Sequence, residues 1–305
     1  MDDIIINEVG MRDGLQSLRS IMSTSAKLKW IDTAYEAGVR HMEVASFVPS
    51  KLLPQMADAA EVVAHALVFP DLTVTVLAPN LRGAQDALAS GAHRIIVPVS
   101  VSAAHSQSNV RRTPEQMVEA FARMCELRDQ AGHPVKMIAG MSTAFGCTLQ
   151  GHVPLDDLVS LTSKVLEAGC DIVSLADTTG YATPGQVEKA LQAVRAVAGE
   201  KLQSVHFHDT RGLALANAVV AVQHGIRELD ASLGGIGGCP FAPGVSGNAV
   251  TEDLVFMLQG MGLRTGIDIE RLLVCRAVVE SALPDEKLYG HIARAGLPKH
   301  FPPLV

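Results

Sequence analysis

The sequence predicts an α/β protein of the (β/α)8 class, a TIM barrel with extra C-terminal helices. Two observations point there. Short Val- and Ile-rich runs alternate with longer helix-type runs through most of the 305 residues. The alternation counts eight β-then-α units, close to the roughly 250 residues that such a barrel takes. The alternative is a doubly wound open sheet, which would usually place a GxGxxG turn after its first strand. Here Gly10-Met11-Arg12-Asp13-Gly14 follows, without that spacing.

The predicted strands are 3–8 (IIINEV), 40–45, 72–77, 93–99, 134–140, 171–176, 203–208 (QSVHFH) and 228–233 (ELDASL). They show little polar alternation, as parallel strands covered on both faces should. Helical runs at 25–38, 113–132, 155–169 and 183–199 lie between them. Thr113-Pro114 and Thr183-Pro184 open two of these, a capping residue followed by proline at the first helical position. Gly38, Gly91, Gly169 and Gly225 stand where helices need a left-handed terminus. Residues 265–305 read as two added helices. With no linker or low-complexity stretch, one domain over 1–305 is expected.

Lys and Arg total 25 against 32 Asp and Glu, a net charge of −7. An acidic chain argues against sequence-independent binding to nucleic acid or to anionic membrane, both of which need a basic surface. No apolar run approaches the roughly 20 residues of a membrane span, and MDDIIINEVG lacks a basic signal-peptide start. A soluble cytoplasmic protein is expected. Five cysteines without a CxxC pair indicate neither a disulfide framework nor a structural zinc site. Four of them read as core residues, and Cys239 stands apart in a glycine-rich run.

Barrel enzymes carry their chemistry at the C-terminal ends of the strands. Polar residues there are Glu8, Arg12 and Asp13 after strand 1, Glu43 and Ser46 on strand 2, and Asp177 at the end of strand 6. His206 and His208 follow on strand 7. After strand 8 come Gly234-Gly235-Ile236-Gly237-Gly238-Cys239-Pro240 and Ser246-Gly247-Asn248. His206 and His208 are two apart, so on a strand their side chains share a face. Two imidazoles with oxygen ligands suit Mg2+, Mn2+, Co2+ or Zn2+ and leave positions open for substrate; the alternative is two independently bonded core histidines. Asp13 and Asn248 have suitable oxygens, although spacing alone does not select them.

The segments EVGMRDGLQ (8–16), SFVPSKLLPQMAD (46–58), VHFHDTRGLALAN (205–217) and GGIGGCPFAPGVSGNAVTEDLVFML (234–258) resemble the hydroxymethylglutaryl-CoA lyase family. The likeness runs from about residue 4 to about residue 300. It implies a carbon–carbon lyase that cleaves a 3-hydroxyacyl-CoA to acetyl-CoA, or another acyl-CoA, and a keto acid. It implies a divalent cation, Mg2+ or Mn2+, held by Asp13, His206, His208 and Asn248. Arg12 would neutralise substrate oxygen charge, Cys239 would act in catalysis, and Glu43 and Asp177 match functional acids. Glu8 and Glu252 match residues that support the metal shell, with Gln16 beside it. A homodimer is implied as well.

Several positions depart from the lyase pattern: Ala103 and His105 for Glu and Phe, Thr148, Leu149 and Gln150 for Pro, Tyr and Glu, Ala176 for Gly and Arg211 for Tyr. The pattern suggests retained chemistry on an altered acyl-CoA. Arg211 is placed to reach a substrate carboxylate, or else is a solvated residue before a helix. Rival readings are a citramalyl-CoA-type lyase, a condensing acyl-CoA synthase, a hydroxy-keto-acid aldolase and a non-catalytic binding barrel.

Overall fold

The computed structural model describes residues 3–237 and 247–301. Eight parallel strands close a barrel in chain order: β1 (Ile5–Glu8), β2 (His41–Ser46), β3 (Thr73–Leu77), β4 (Arg94–Ser100), β5 (Lys136–Ser142), β6 (Ile172–Asp177), β7 (Leu202–Phe207) and β8 (Glu228–Ala231). β8 pairs with β1, with Asn7 opposite Asp230, so the first and last strands meet in the wall. The predicted strands all form. The eighth is shorter than expected, because Leu233–Gly235 turn away as a single 3-10 turn with Gly234 and Gly235 at φ 62°.

Around the barrel lie α1 (Thr24–Glu36), α2 (Ala59–Ala66), α3 (Leu81–Ala89), α4 (Ala103–Val110), α5 (Pro114–Ala131), α6 (Leu155–Glu167), α7 (Pro184–Ala198), α8 (Ala214–Gln223) and α9 (Thr251–Gly260). Both threonine–proline signals are helix starts. Thr113 and Thr183 cap α5 and α7 with Gln116 and Gln186 closing reciprocal capping boxes. The core is aliphatic, with Val44, Val76, Val97 and Leu175 buried on the strands and Trp30 fully buried on α1. Cys125, Cys147, Cys170 and Cys275 are buried free thiols. Among the described residues no helix is long and apolar enough to cross a membrane.

The C-terminal segment departs from the expected pair of helices. α10 (Ile269–Ala282) packs on α1, with the Asp268 N–H donating to Ala37 O at 2.8 Å. The second helix, α11 (Ile292–Ala295), is one turn. Pro284, Gly290, Gly296 and Pro298 interrupt the segment, and Gly290 and Gly296 take positive φ of 122° and 74°. That composition prevents a longer helix.

Candidate metal and catalytic site

Residues Gly10–Gly14 form one π-helical turn after β1 that carries Arg12 and Asp13 into the barrel mouth. Gly10 is required by contact: a Cβ there would lie 2.6 Å from Glu8 Oε1 and 2.7 Å from Ser232 Oγ. Asp13 faces the end of β7, where His206 Nε2 and His208 Nε2 approach its Oδ2 at 3.9 and 3.8 Å. Ligand atoms of these three residues all lie within 4.8 Å of one another. That span is close to twice a metal–ligand bond of about 2.0–2.2 Å.

Asn248 joins them through its backbone. The 247–250 segment runs beside the end of β7, with an antiparallel bridge between His208 and Asn248 and the Ala249 N–H donating to Phe207 O at 3.0 Å. The Asn248 side chain then lies 2.8 Å from Asp13 Oδ2. Gly237, at φ 106°, is forced by this approach, since a Cβ would sit 2.4 Å from the Asn248 amide nitrogen. Both ring nitrogens of His208 and Asn248 Oδ1 are buried without a hydrogen-bond partner. Buried polar atoms are seldom left so. One carboxylate and two imidazoles with clustered ligand atoms, beside an amide whose oxygen is buried and unpartnered, fit a divalent cation.

Neighbouring side chains fix the orientation of this set. Asp13 Oδ1 accepts from Arg12 Nη1 at 2.7 Å and from Gln16 Nε2 at 3.0 Å, which leaves Oδ2 turned to the histidines. Burial alone would raise the Asp13 carboxyl, but the Arg12 guanidinium and the two imidazoles hold it well below the usual carboxylate range. Strand register sets Asn7, Asp230 and His206 side by side across β1, β8 and β7. Asp230 Oδ2 bonds His206 Nδ1 at 3.1 Å and its Oδ1 accepts from Asn7 Nδ2 at 2.9 Å. The imidazole is thereby held with Nε2 toward Asp13. A carboxylate behind a histidine is the usual way proteins orient a metal-binding imidazole. Sequence reasoning missed Asp230 and Asn7. The available signal was an acid inside an otherwise apolar strand, the same criterion that selects Glu43.

Arg12 is buried and clamped. Its Nε and Nη2 donate to Glu43 Oε1 and Oε2 at 2.6 and 2.7 Å, a planar two-bond fork. Glu43 therefore commits both oxygens to Arg12. Burial raises its carboxyl against the pull of that guanidinium. Asp177, at the end of β6, has Phe207 as its register partner, one position past His206. Its Oδ1 accepts the N–H groups of Tyr181 and Ala182 at 2.8 and 3.1 Å, while Oδ2 is buried and unpartnered. Burial raises its carboxyl, opposed by the Tyr181 N–H and by the charge of His208. Ser46 Oγ, at the end of β2, is also buried without a partner.

Glu8 and Glu252 do their bonding one layer away. Glu8 accepts from Thr251 Oγ1 at 2.6 Å and from the N–H groups of Gly10 and Leu233, and burial pushes its carboxyl up to about 8. Glu252 accepts the Gly234 N–H and the Arg276 guanidinium. The two acids pin the backbone just before the glycine-rich run, and Asn248 N–H to Gly237 O closes its base at 3.0 Å. Cys239 lies outside the described residues. Arg211 donates from Nη1 to the carbonyls of Thr179 and Gly180 at 3.2 and 2.8 Å and lies 4.4 Å over the Tyr181 ring. It is exposed, and it ties the loops after β6 and β7 together. Of the departing positions, His105 bonds Ser100 Oγ at 2.8 Å and Gln150 Oε1 accepts from Ser102 Oγ at 2.9 Å, both beside the ends of β4 and β5.

The chain matches the family model described as HMGL-like over residues 3–279. It is 39% identical to the human mitochondrial hydroxymethylglutaryl-CoA lyase over 290 residues, which cover 95% of this chain and 88% of that protein. The crystal structure of the Bacillus subtilis HMG-CoA lyase superposes with a TM-score of 0.91 at 36% identity, covering 97% of this chain and 98% of the other. The structure of an HMG-CoA lyase from Acinetobacter baumannii, in complex with coenzyme A and 3-methylmalate, gives a TM-score of 0.90 at 34% identity, over 99% and 98% of the two chains.

Proposed function

The chain belongs to the HMGL-like family, a carbon–carbon lyase family, and on that premise we propose how its residues cleave an acyl-CoA. The substrate is a 3-hydroxyacyl-CoA, hydroxymethylglutaryl-CoA or a close relative, and the products are acetyl-CoA or another acyl-CoA and a keto acid. The observation that carries the reading is Asp13, with Oδ1 saturated by Arg12 and Gln16 and Oδ2 turned to His206, His208 and Asn248. Those four residues would hold a divalent cation, Mg2+ or Mn2+, which when bound supplies Lewis-acid polarisation of the substrate's oxygens.

The chain's own groups carry the protons and the charge. Asp177 Oδ2, buried and unpartnered, takes the C3 hydroxyl proton as the C2–C3 bond breaks; a carboxyl raised by burial is suited to that transfer. The departing fragment is a thioester enolate. Arg12, fixed in place by Glu43, offers its remaining N–H groups to the enolate oxygen. Cys239 then gives a proton to the enolate carbon, completing the acyl-CoA product. Glu43 and Gln16 act as positioning residues, and Glu8 and Glu252 hold the segment that leads to Cys239. The barrel and its C-terminal helices, 1–305, form one catalytic unit, working in the cytoplasm as a homodimer.

Incubating the Mg2+- or Mn2+-loaded protein with a panel of 3-hydroxyacyl-CoA thioesters, including hydroxymethylglutaryl-CoA and citramalyl-CoA, tests the assignment. The expected result is free acyl-CoA and a keto acid by mass. Net condensation would indicate a synthase, and cleavage only of a CoA-free hydroxy-keto acid would indicate an aldolase.

A further inference from the structure

On the same end of the barrel as the Asp13 cluster, α3, α5 and the turn between α4 and α5 border an open surface cleft of about 490 Å3 lined by the exposed side chains of Leu81, Arg111, Arg112, Gln116, Glu119 and Arg123. Its position follows from the topology. α3 starts just after β3, and α5 descends toward the start of β5, so both helices begin at the catalytic rim.

The cleft is basic in an acidic protein. It holds three arginines and one acid, Glu119, in its wall, while the whole chain carries −7. Most other arginines of the described residues bond a carboxylate or a backbone carbonyl. Among the described residues, Arg111, Arg112 and Arg123 have no carboxylate within 4.0 Å, Glu119 included. Their guanidinium donors are thus available to a ligand.

The backbone supports the same reading. Arg111 ends α4 in the left-handed region at φ 55° and ψ 38°. That conformation favours glycine and costs a residue with a side chain. Glycine fills the equivalent place after α5, where Gly132 has φ 66°. An arginine kept in a glycine conformation at a cleft mouth points to a role for its side chain. Gln116, Glu119 and Arg123 are spaced three and four apart and share one face of α5. Arg123 therefore lies about 10 Å along the helix from Gln116, at a rise of about 1.5 Å per residue. The positive charge is spread over a length greater than one phosphate.

We propose that this cleft binds a phosphate ester carrying two separated phosphate groups, with Arg111 and Arg112 at one end and Arg123 at the other. Arginine forks match phosphate oxygens in pairs, which suits this chemistry better than a single carboxylate. The ligand has two possible sources: the phosphates of the acyl-CoA substrate, which rests on the function proposed above, or a separate small phosphate ester.

Calorimetric titration of the full-length metal-loaded protein with adenosine 3′,5′-bisphosphate tests it, with adenosine as the phosphate-free control. The bisphosphate should bind and adenosine should not. Arg112→Ala and Arg123→Ala should each weaken binding roughly tenfold or more, the loss of one charge-assisted contact. Glu119→Gln should tighten it. Arg111→Gly should weaken it while leaving the melting temperature unchanged or raised, because the substitution relieves the backbone. His208→Ala should bind as wild type, placing the ligand away from the metal cluster. A rise in KM for the acyl-CoA at constant kcat in Arg112→Ala, absent with the matching acyl-pantetheine, would identify the substrate's phosphates as the source. An unchanged KM with lost bisphosphate binding would identify a separate ligand. Wild-type protein that takes up no bisphosphate at millimolar concentration, or arginine variants that bind it undiminished, would overturn the proposal. These binding results stand whether or not any thioester is cleaved.

Discussion

Arg12 and Glu43, 31 positions apart in sequence, meet in a buried two-bond fork of 2.6 and 2.7 Å, and the third contact of the same guanidinium is Asp13 Oδ1 at 2.7 Å. One side chain thus couples the middle of β2 to the carboxylate that faces the histidines. Arg12 is held in a single orientation before any substrate arrives, which suits a group meant to meet developing charge.

Replacing Arg12 by Lys keeps the charge and loses the fork. We expect kcat to fall about 10²–10³-fold, as when an oxyanion donor is removed, with little change in thermal unfolding. Steady-state kinetics beside a melting curve checks this. Glu43→Ala should behave differently, destabilising the fold by about 3 kcal/mol because a buried guanidinium loses its main partner. Near-normal turnover in Arg12→Lys would reduce the pair to a structural role.

Metal removal is the second test. Chelation should abolish lyase activity and Mg2+ or Mn2+ should restore it. His208→Ala should lower metal affinity by at least about tenfold, no less than the loss of an outer partner. Full turnover in excess chelator would end the metallolyase reading.

Asp230→Ala should weaken metal binding by about 10–100-fold while leaving the ligands themselves in place, because His206 loses the carboxylate that orients Nδ1. Asn7→Ala should have a smaller effect in the same direction, since Asn7 acts through Asp230. Direct metal titration of the variants measures both. Affinity equal to wild type in Asp230→Ala would show that the imidazole needs no such support.

The opposite end of the barrel makes a pH prediction. His41 begins β2, its Nδ1 is buried without a partner, and burial together with the nearby Arg94 lowers its pKa from 6.5 to about 4. Arg94 itself pairs with Glu228 across the barrel. Above pH 6.5 His41 is neutral in both states and contributes nothing to pH dependence. Between 6.5 and about 4 the unfolded chain takes up the proton and the folded chain does not, so stability falls as pH falls. This one group contributes a slope of at most about 1.4 kcal/mol per pH unit. Denaturant unfolding of wild type and His41→Gln at pH 7, 6 and 5 isolates it. The variant should show the shallower loss, and parallel curves would remove His41 as a cause.

Local features were legible because they depend on neighbours in sequence. The eight strands, the capping boxes at Thr113 and Thr183, and the left-handed glycines at 38, 91, 169 and 225 all follow from short-range sterics and hydrogen bonding. The His206–His208 pair was visible for the same reason: a strand's period of two puts both on one face. Segment likeness added Asp13 and Asn248, which spacing alone did not select. Tertiary structure decided what those residues touch. Asp230 reaches His206 because β7 pairs with β8, and Asn7 reaches Asp230 only because the barrel closes β8 against β1 and brings together residues 223 apart. Glu43 became the clamp on Arg12, Glu8 and Glu252 turned to backbone N–H groups, and Arg211 was bound to carbonyls of a neighbouring loop. A side chain's type and local backbone state which bonds it can make. Burial leaves each polar atom only the partners that packing brings within about 3 Å, and the closure of the barrel chooses those partners.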